Sequence, residues 1–188
     1  MSLVPLFLQL GGRRVLVVGG GAVALEKATA LHRAGADVHV VSPSLAAGFA
    51  DLGVSSAERE FEPSDVEGAW LVIAAATPEV NRTVRRAADA VQRFVVAVDD
   101  TATTTAFGAA VVERGGVTLA ISSGGRAPAL VRLLREALER VLPDDLDAWL
   151  AIAERERVAW KAKAVPFPER RRLLFDALRT LYDVGGPS

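Results

Sequence analysis

The sequence predicts an α/β fold: a Rossmann-type doubly wound parallel sheet with an added β-hairpin and a small C-terminal helical domain. Three observations carry that expectation. Short β-branched runs alternate with longer helix-like stretches as far as residue 98, the pattern of β–α–β units with parallel strands. Three consecutive glycines, Gly19-Gly20-Gly21, separate one such run from an alanine-rich stretch. After residue 105 the alternation stops. Two strand-like runs there flank Arg114-Gly115-Gly116, and the rest of the chain has helical spacing.

The elements follow in order. Residues 4–10 (VPLFLQL) read as a first strand and 14–18 (RVLVV) as a second, buried one. Residues 22–35 form an amphipathic helix closing on Gly35, 37–41 a strand, and 54–61 a short strand. Residues 69–76 (AWLVIAAA) are apolar throughout, as in a strand covered on both faces. Thr77 as N-cap and Pro78 at the first helical position open a helix to residue 91. Residues 93–98 are again a strand, and 106–123 make the hairpin. A helix over 127–143, ended by Pro143, carries Leu130, Leu134, Leu138 and Val141 as its apolar stripe. Arg132/Glu136 and Arg135/Glu139 are spaced for i,i+4 pairs. Two further helices are split by residues 165–168 (VPFP). The expected division is a cofactor-binding domain over 1–113, a hairpin strand and helix over 114–143, and a helical domain over 144–188.

Composition removes several function classes. The chain has 188 residues, 51% of them hydrophobic, with 22 basic and 23 acidic side chains and a net charge of −1. No global field attracts nucleic acid or an anionic membrane, so any anion site is local. There is no cysteine, which excludes disulfides, thiolate catalysis and cysteine-bound zinc and fits a reducing cytoplasm. The two histidines, His32 and His39, lack metal-ligand spacing, so no resident metal is expected. The first residues lack the basic region and cleavage site of a signal peptide. No apolar run reaches the roughly 18–20 residues of a membrane span. A cytoplasmic protein is the expectation.

Gly19-Gly20-Gly21-Ala22-Val23-Ala24 reads as G-x-G-x-x-A between a strand and a helix. That is the turn in which a first glycine (Gly19) permits the bend and a second (Gly21) lets backbone approach a pyrophosphate. The phosphates then meet the helix N-terminus at Ala22 and Val23. Roughly 20 residues on, an acid usually takes the ribose 2′-hydroxyl of NAD, or an arginine the 2′-phosphate of NADP. Here Ser42-Pro43-Ser44 stand instead. They suit an uncharged ribose and offer nothing to a phosphate dianion, so NAD is the expected cofactor, with Thr77 also in its site.

Several stretches together resemble the N-terminal module of siroheme synthases, the precorrin-2 dehydrogenase/sirohydrochlorin ferrochelatase family. They are Pro5-Leu6-Phe7, the glycine turn from Val18 through Ala28 with Lys27, and Ala76-Thr77 followed by Asn81. Ala97-Val98-Asp99-Asp100 and residues 122–132 (SSGGRAPALVR) complete the likeness, which runs from residue 4 to about 143. The chain departs from the family pattern at Val96, in residues 106–112 (AFGAAVV), which lack a proline, and at Ala127. A stand-alone form, without a following methyltransferase module, is the expectation.

The resemblance implies NAD-dependent oxidation of precorrin-2 to sirohydrochlorin in siroheme or cobalamin synthesis, with insertion of ferrous or cobaltous ion as a second activity. Asp99 and Asp100 are the candidate catalytic carboxylates, at the strand end where open α/β sheets place ligands. Ungapped alignment favours Asp99. The tetrapyrrole substrate carries eight carboxylates. Ser122, Ser123, Gly124 and Gly125, a glycine-rich nest before a helix, with Arg126 and Arg132, are the expected contacts to it. The hairpin and helical tail carry apolar faces, and the resemblance implies pairing through these elements, so a homodimer is expected. The rival expectation is a non-catalytic NAD(H)-sensing module that regulates a partner.

Overall fold

The β-branched runs of the first hundred residues assemble into one five-stranded parallel sheet. Its strands are β1 (Arg14–Val18), β2 (Asp37–Val41), β3 (Ser55–Ala57), β4 (Leu71–Ala74) and β5 (Phe94–Ala97), in the order β3-β2-β1-β4-β5. The structure is a computed structural model describing residues 3–98 and 100–182. The chain divides into two compact units, residues 1–108 and 109–188.

Alternation along the strands builds two core layers in the first unit. Val15 and Val17 of β1 join Val38, Val40 and Ile73 on the face covered by α1 (Ala22–Arg33), where Ala24 and Ala28 are fully buried. Leu16 and Val18 join Val72, Ala74 and Val95 on the face covered by α3 (Pro78–Ala90), through Val84 and Ala88. Each fully buried valine or leucine contributes about 1.5–3 kcal/mol of transfer free energy. A short helix α2 (Gly48–Leu52) and a 3-10 turn (Pro63–Val66) complete the unit.

The chain winds outward from β1 to β3, then returns to lay β4 against the other side of β1. The strand order therefore reverses between β1 and β4, and a crevice opens beyond the carboxyl ends of those strands.

Two features differ from expectation. The strand expected over residues 4–10 does not form: residues 3–10 join no ladder, and Val4, Leu6 and Phe7 are exposed. Apolar composition alone makes no strand without a partner backbone, and the β5 edge is already taken. Thr104 and Thr105 hydroxyls accept from the N–H groups of Ala97 (2.8 Å) and Val95 (2.7 Å), and the Thr105 N–H donates back to Val95 at 2.8 Å. The loop so covers an edge that would otherwise invite another chain. The strand expected over 54–61 shrinks to Ser55–Ala57 because the following residues fold around a buried carboxylate. Arg59 forks onto Asp65 at 2.9 and 2.5 Å, and the Glu62 N–H donates to the same carboxylate at 2.9 Å.

In the second unit β6 (Ala110–Arg114) and β7 (Val117–Ile121) pair antiparallel. Gly115 and Gly116 turn between them, both with positive φ (54° and 76°), as a tight two-residue hairpin requires. A Cβ on Gly115 would lie 2.3 Å from the Asp147 nitrogen, so the hairpin tip sits on the start of α5 (Leu146–Ala162). Helix α4 (Pro128–Val141) packs on β6, and α5 packs on β7 and on α6 (Phe167–Arg179). Arg114 donates to the Leu142 carbonyl at 2.5 Å and to Asp144 at 3.2 Å. Among the described residues no helix is long and apolar enough to cross a membrane.

Candidate functional site

The turn after β1 is shaped by three glycines with three different surroundings. Gly19, at φ +124°, donates its N–H to Val41 at 2.9 Å. A Cβ there would stand 2.2 Å from the Ala75 carbonyl oxygen. Gly20 is equally confined: a Cβ would meet the Ser44 carbonyl at 1.9 Å. Its own carbonyl accepts from the Ala46 N–H at 2.8 Å. Gly21 is open. Its φ is −81°, and a Cβ there would meet nothing within 4 Å. Gly19 and Gly20 thus let the exits of β1, β2 and β4 close on one another, while Gly21 presents bare backbone to solvent.

Gly21 is also the N-cap of α1. No side chain caps that helix, and its first turn holds no acid. Its leading N–H groups, with Ala22 and Val23 exposed and Ala24 buried, face outward with the positive end of the helix dipole behind them. A cleft of about 830 Å³ opens here, lined by Gly19–Gly21, Ser42–Ala46, Glu60–Phe61 and Ala75–Thr77. Six cofactor candidates, from the turn (Gly19, Gly21), the β2 exit (Ser42, Pro43, Ser44) and the β4 exit (Thr77), therefore lie together. Ala22 and Val23 form the exposed first turn of α1.

The β4 exit is fixed by a side chain that the sequence showed only as part of a motif. Asn81, 3% exposed, accepts from the Ala76 N–H through Oδ1 at 3.1 Å, and Thr77 caps α3 by accepting from Val80 at 3.5 Å. Glu79, in the first turn of α3, also lines the cleft with Thr83. Its carboxyl is held below the ordinary range, first by a backbone hydrogen bond and next by Arg82. Gly20, Glu60, Phe61 and Glu79 were not expected in the site. Gly20 stands in the variable place of the motif, and Glu60 follows a strand too short to mark its own end.

Of the two candidate catalytic carboxylates, Asp99 lies outside the described residues. Asp100 caps the next turn, accepting from the N–H groups of Ala102 (2.9 Å) and Thr103 (3.2 Å). The Thr103 side chain is the first of the groups that hold its carboxyl below the ordinary carboxylate range. Because β5 ends at Ala97, strand alternation does not extend to Asp100.

The substrate candidates belong to the second unit. Gly124 and Gly125 have φ of 63° and 77°. Ser122 Oγ accepts from Gly124 N–H at 3.1 Å, and Ser123 Oγ from Ala127 N–H at 2.9 Å. Arg126 Nε donates to the Ser123 carbonyl at 3.0 Å, which folds the arginine back over its own turn. Helix α4 begins at Pro128 without a side-chain cap. Arg132 is exposed and pairs with Glu136 at 3.1 Å. Among the described residues no group of three or more His, Asp or Glu side chains is placed to hold a metal.

A family model described as "Putative NAD(P)-binding" matches residues 6–109, more than half of the chain. The chain belongs to this NAD(P)-binding family. The residues present fit the group that the family binds: uncapped N–H donors, an open glycine, and a cleft of adequate size. A second model, described as "Sirohaem biosynthesis protein central", matches residues 114–140 of this NAD(P)-binding protein. Among curated proteins it is 42% identical over 177 residues to "Siroheme synthase 1" of Aeromonas salmonicida (strain A449), covering 92% of this chain and 38% of that one. It is 40% identical, again over 177 residues, to "Siroheme synthase" of Neisseria meningitidis serogroup B, covering 92% and 37%. The chain thus spans little more than a third of the length of these relatives. Among solved structures it shares the fold of "SirC, precorrin-2 dehydrogenase", with a TM-score of 0.73 and 24% identity over 93% of this chain and 88% of that one.

Proposed function

We propose that this NAD(P)-binding protein is an NAD-dependent dehydrogenase that oxidises precorrin-2 to sirohydrochlorin in siroheme or cobalamin synthesis. The observation that carries the reading is the open Gly21 at the uncapped start of α1, set where the strand order reverses. The names of the relatives supply the substrate class. In the overall change the macrocycle gives up a hydride and a proton. The bound nicotinamide supplies the hydride acceptor, and the rest falls to the chain. The α1 N–H groups hold pyrophosphate, while Ser42, Pro43, Ser44 and Thr77 border the nucleoside.

Asp99 is the proposed base for the proton, on the strength of its place in the resemblance. Asp100 is the weaker candidate, because its carboxylate is already held by the turn that it caps. Ser122–Arg126 and Arg132 are the proposed carboxylate contacts, supported by the two left-handed glycines and the uncapped α4. Metal insertion, with ferrous or cobaltous ion as substrate, is a second proposed activity. Residues 1–113 would hold the cofactor, 114–143 the tetrapyrrole and a second copy, and 144–188 complete the helical part. A homodimer is supported by apolar side chains of α4 that this chain leaves exposed, Leu130, Leu133, Leu134 and Val141.

The test is direct. With NAD and precorrin-2, NADH absorbance should appear, and Asp99→Asn should abolish it while leaving NADH binding near wild type. NADH binding by the wild-type chain without turnover would favour the NAD(H)-sensing alternative. Sirohydrochlorin with ferrous or cobaltous ion, compared with the spontaneous rate, tests the chelatase. Sedimentation at micromolar concentration tests the dimer.

A further inference from the structure

The end of β2 lacks the acid that usually meets an adenosine ribose, yet the cleft is not without one. β3 is the parallel neighbour of β2, with Val41 beside Ala57 and the Ser42 N–H donating to the Ala57 carbonyl at 3.2 Å. The segments leaving the two strands therefore run side by side. Ser42–Ser44 leave β2 and Glu60 leaves β3 three residues past its end, and all line the same cleft.

The backbone at Glu60 is anchored. Its carbonyl accepts from Arg59 Nη1 at 2.8 Å, and the Arg59 guanidinium is itself forked onto Asp65, which is 7% exposed. That pairing has a second effect. Arg59 is the cation nearest in sequence to the nucleoside end of the cleft, and it is committed to Asp65. Among the described residues no lysine or arginine lines the cleft, whereas two carboxylates do, Glu60 and Glu79. Glu79 pairs with Arg82 at 2.9 Å; among the described residues no cation pairs with the Glu60 side chain.

We infer that Glu60, reaching the cleft from β3, takes the place of the missing β2 acid: it accepts from the adenosine ribose hydroxyls and repels a 2′-phosphate. This makes Glu60 a specificity-determining residue for NAD over NADP, and it rests on the dinucleotide reading proposed above. A carboxylate is an acceptor only, so it pairs with a 2′-hydroxyl and finds no donor on a phosphate dianion. Asp65 and Arg59 act through it, by fixing the backbone from which it projects.

The experiment is fluorescence titration of the intact chain with NADH and with NADPH, for wild type and Glu60→Gln. Glu60 is exposed, so folding should be unaffected, which thermal melting checks. Wild type should bind NADH at least about 100-fold more tightly than NADPH, and Glu60→Gln should weaken NADH roughly tenfold or more. NADPH binding should hold or improve in the variant, so the NADH:NADPH ratio falls. A merely structural side chain would weaken both ligands together. A wild type that binds NADH, with an unchanged ratio in Glu60→Gln, overturns this inference and leaves the dinucleotide site standing. A wild type that binds neither nucleotide overturns both.

Discussion

Replacing Gly19 and Gly21 separately by alanine divides the demands of the fold from those of the ligand. Gly19→Ala puts a Cβ 2.2 Å from the Ala75 carbonyl oxygen and 2.7 Å from its carbon, at a φ of +124°. Both neighbours are backbone at the exit of a central strand and cannot rotate away. The dihedral costs about 1–3 kcal/mol and the overpacking about the same again, so a loss of roughly 2–6 kcal/mol follows. Against a domain stability of about 5–15 kcal/mol, that lowers Tm by some ~10–20 °C or more. Gly21→Ala has an ordinary φ of −81° and no atom within 4 Å of the new methyl. Stability should therefore change by less than about 1 kcal/mol. The methyl instead occupies the open side of the α1 N-terminus. Loss of one charge-assisted bond to pyrophosphate, at about 1.5–3 kcal/mol, weakens NADH binding by roughly 10- to 150-fold. Thermal melting and NADH fluorescence titration on the two variants are the assay. Wild-type affinity in Gly21→Ala, or a wild-type Tm in Gly19→Ala, would refute the assignment of these roles.

Three further outcomes follow from the same contacts. Asp65→Asn should destabilise the first unit by about 1–3 kcal/mol at neutral pH, since a buried carboxylate loses its charge opposite Arg59. Arg59 holds the Asp65 carboxyl below its ordinary value of 3.8. Its contribution is therefore full above 3.8 and lost as pH falls through the lower folded value, so the Tm gap to Asp65→Asn should close only in acid. Thr105→Val keeps the shape but removes the acceptor for the Val95 N–H; it should cost about 1–3 kcal/mol and raise light scattering, because the β5 edge loses part of its cover. Ala164 sits at φ +52° just past α5, where the Val165 N–H returns to the Trp160 carbonyl at 3.0 Å, so Ala164→Gly should stabilise by about 1 kcal/mol, read as a rise in Tm.

What could be read in advance divides along physical lines. Strands β1, β2, β4 and β5 were legible as short, β-branched or continuously apolar runs, too short for helices and bounded by turn residues, and the long helices by their apolar spacing. The β1 turn was legible because its glycines stand between a strand and a helix. Residues 4–10 misled because a strand is defined by its partner, and no local property of VPLFLQL reports that Thr104 and Thr105 already cover the β5 edge. Gly20 was passed over because the motif leaves its place variable, although the Ser44 carbonyl leaves no room there for a Cβ. Glu60 was illegible for a different reason. Its role depends on β3 lying beside β2 and on Asp65 withdrawing Arg59, a relation among three segments that sequence spacing does not encode. Asp100 was legible as a carboxylate at a strand end but not as the cap of its own loop, which needed the strand to stop at Ala97.

The charges of the cleft form one consistent arrangement. The field of a helix terminus acts over about one turn, so α1 attracts phosphate at Gly21 without making the whole cleft attractive to anions. Among the described residues elsewhere in the lining, the fixed charges are the carboxylates of Glu60 and Glu79, and the arginines beside them are engaged by Asp65 and Glu79. A ligand with its negative charge concentrated at the α1 terminus satisfies both conditions. One carrying further phosphate beside the β2 and β3 exits satisfies only the first. Moving the acid from β2 to β3 leaves this logic intact, because adjacent parallel strands deliver their exits to the same side of the sheet. The proposed role of Glu60 would thus let serines stand at the β2 exit of a cleft that takes a ribose.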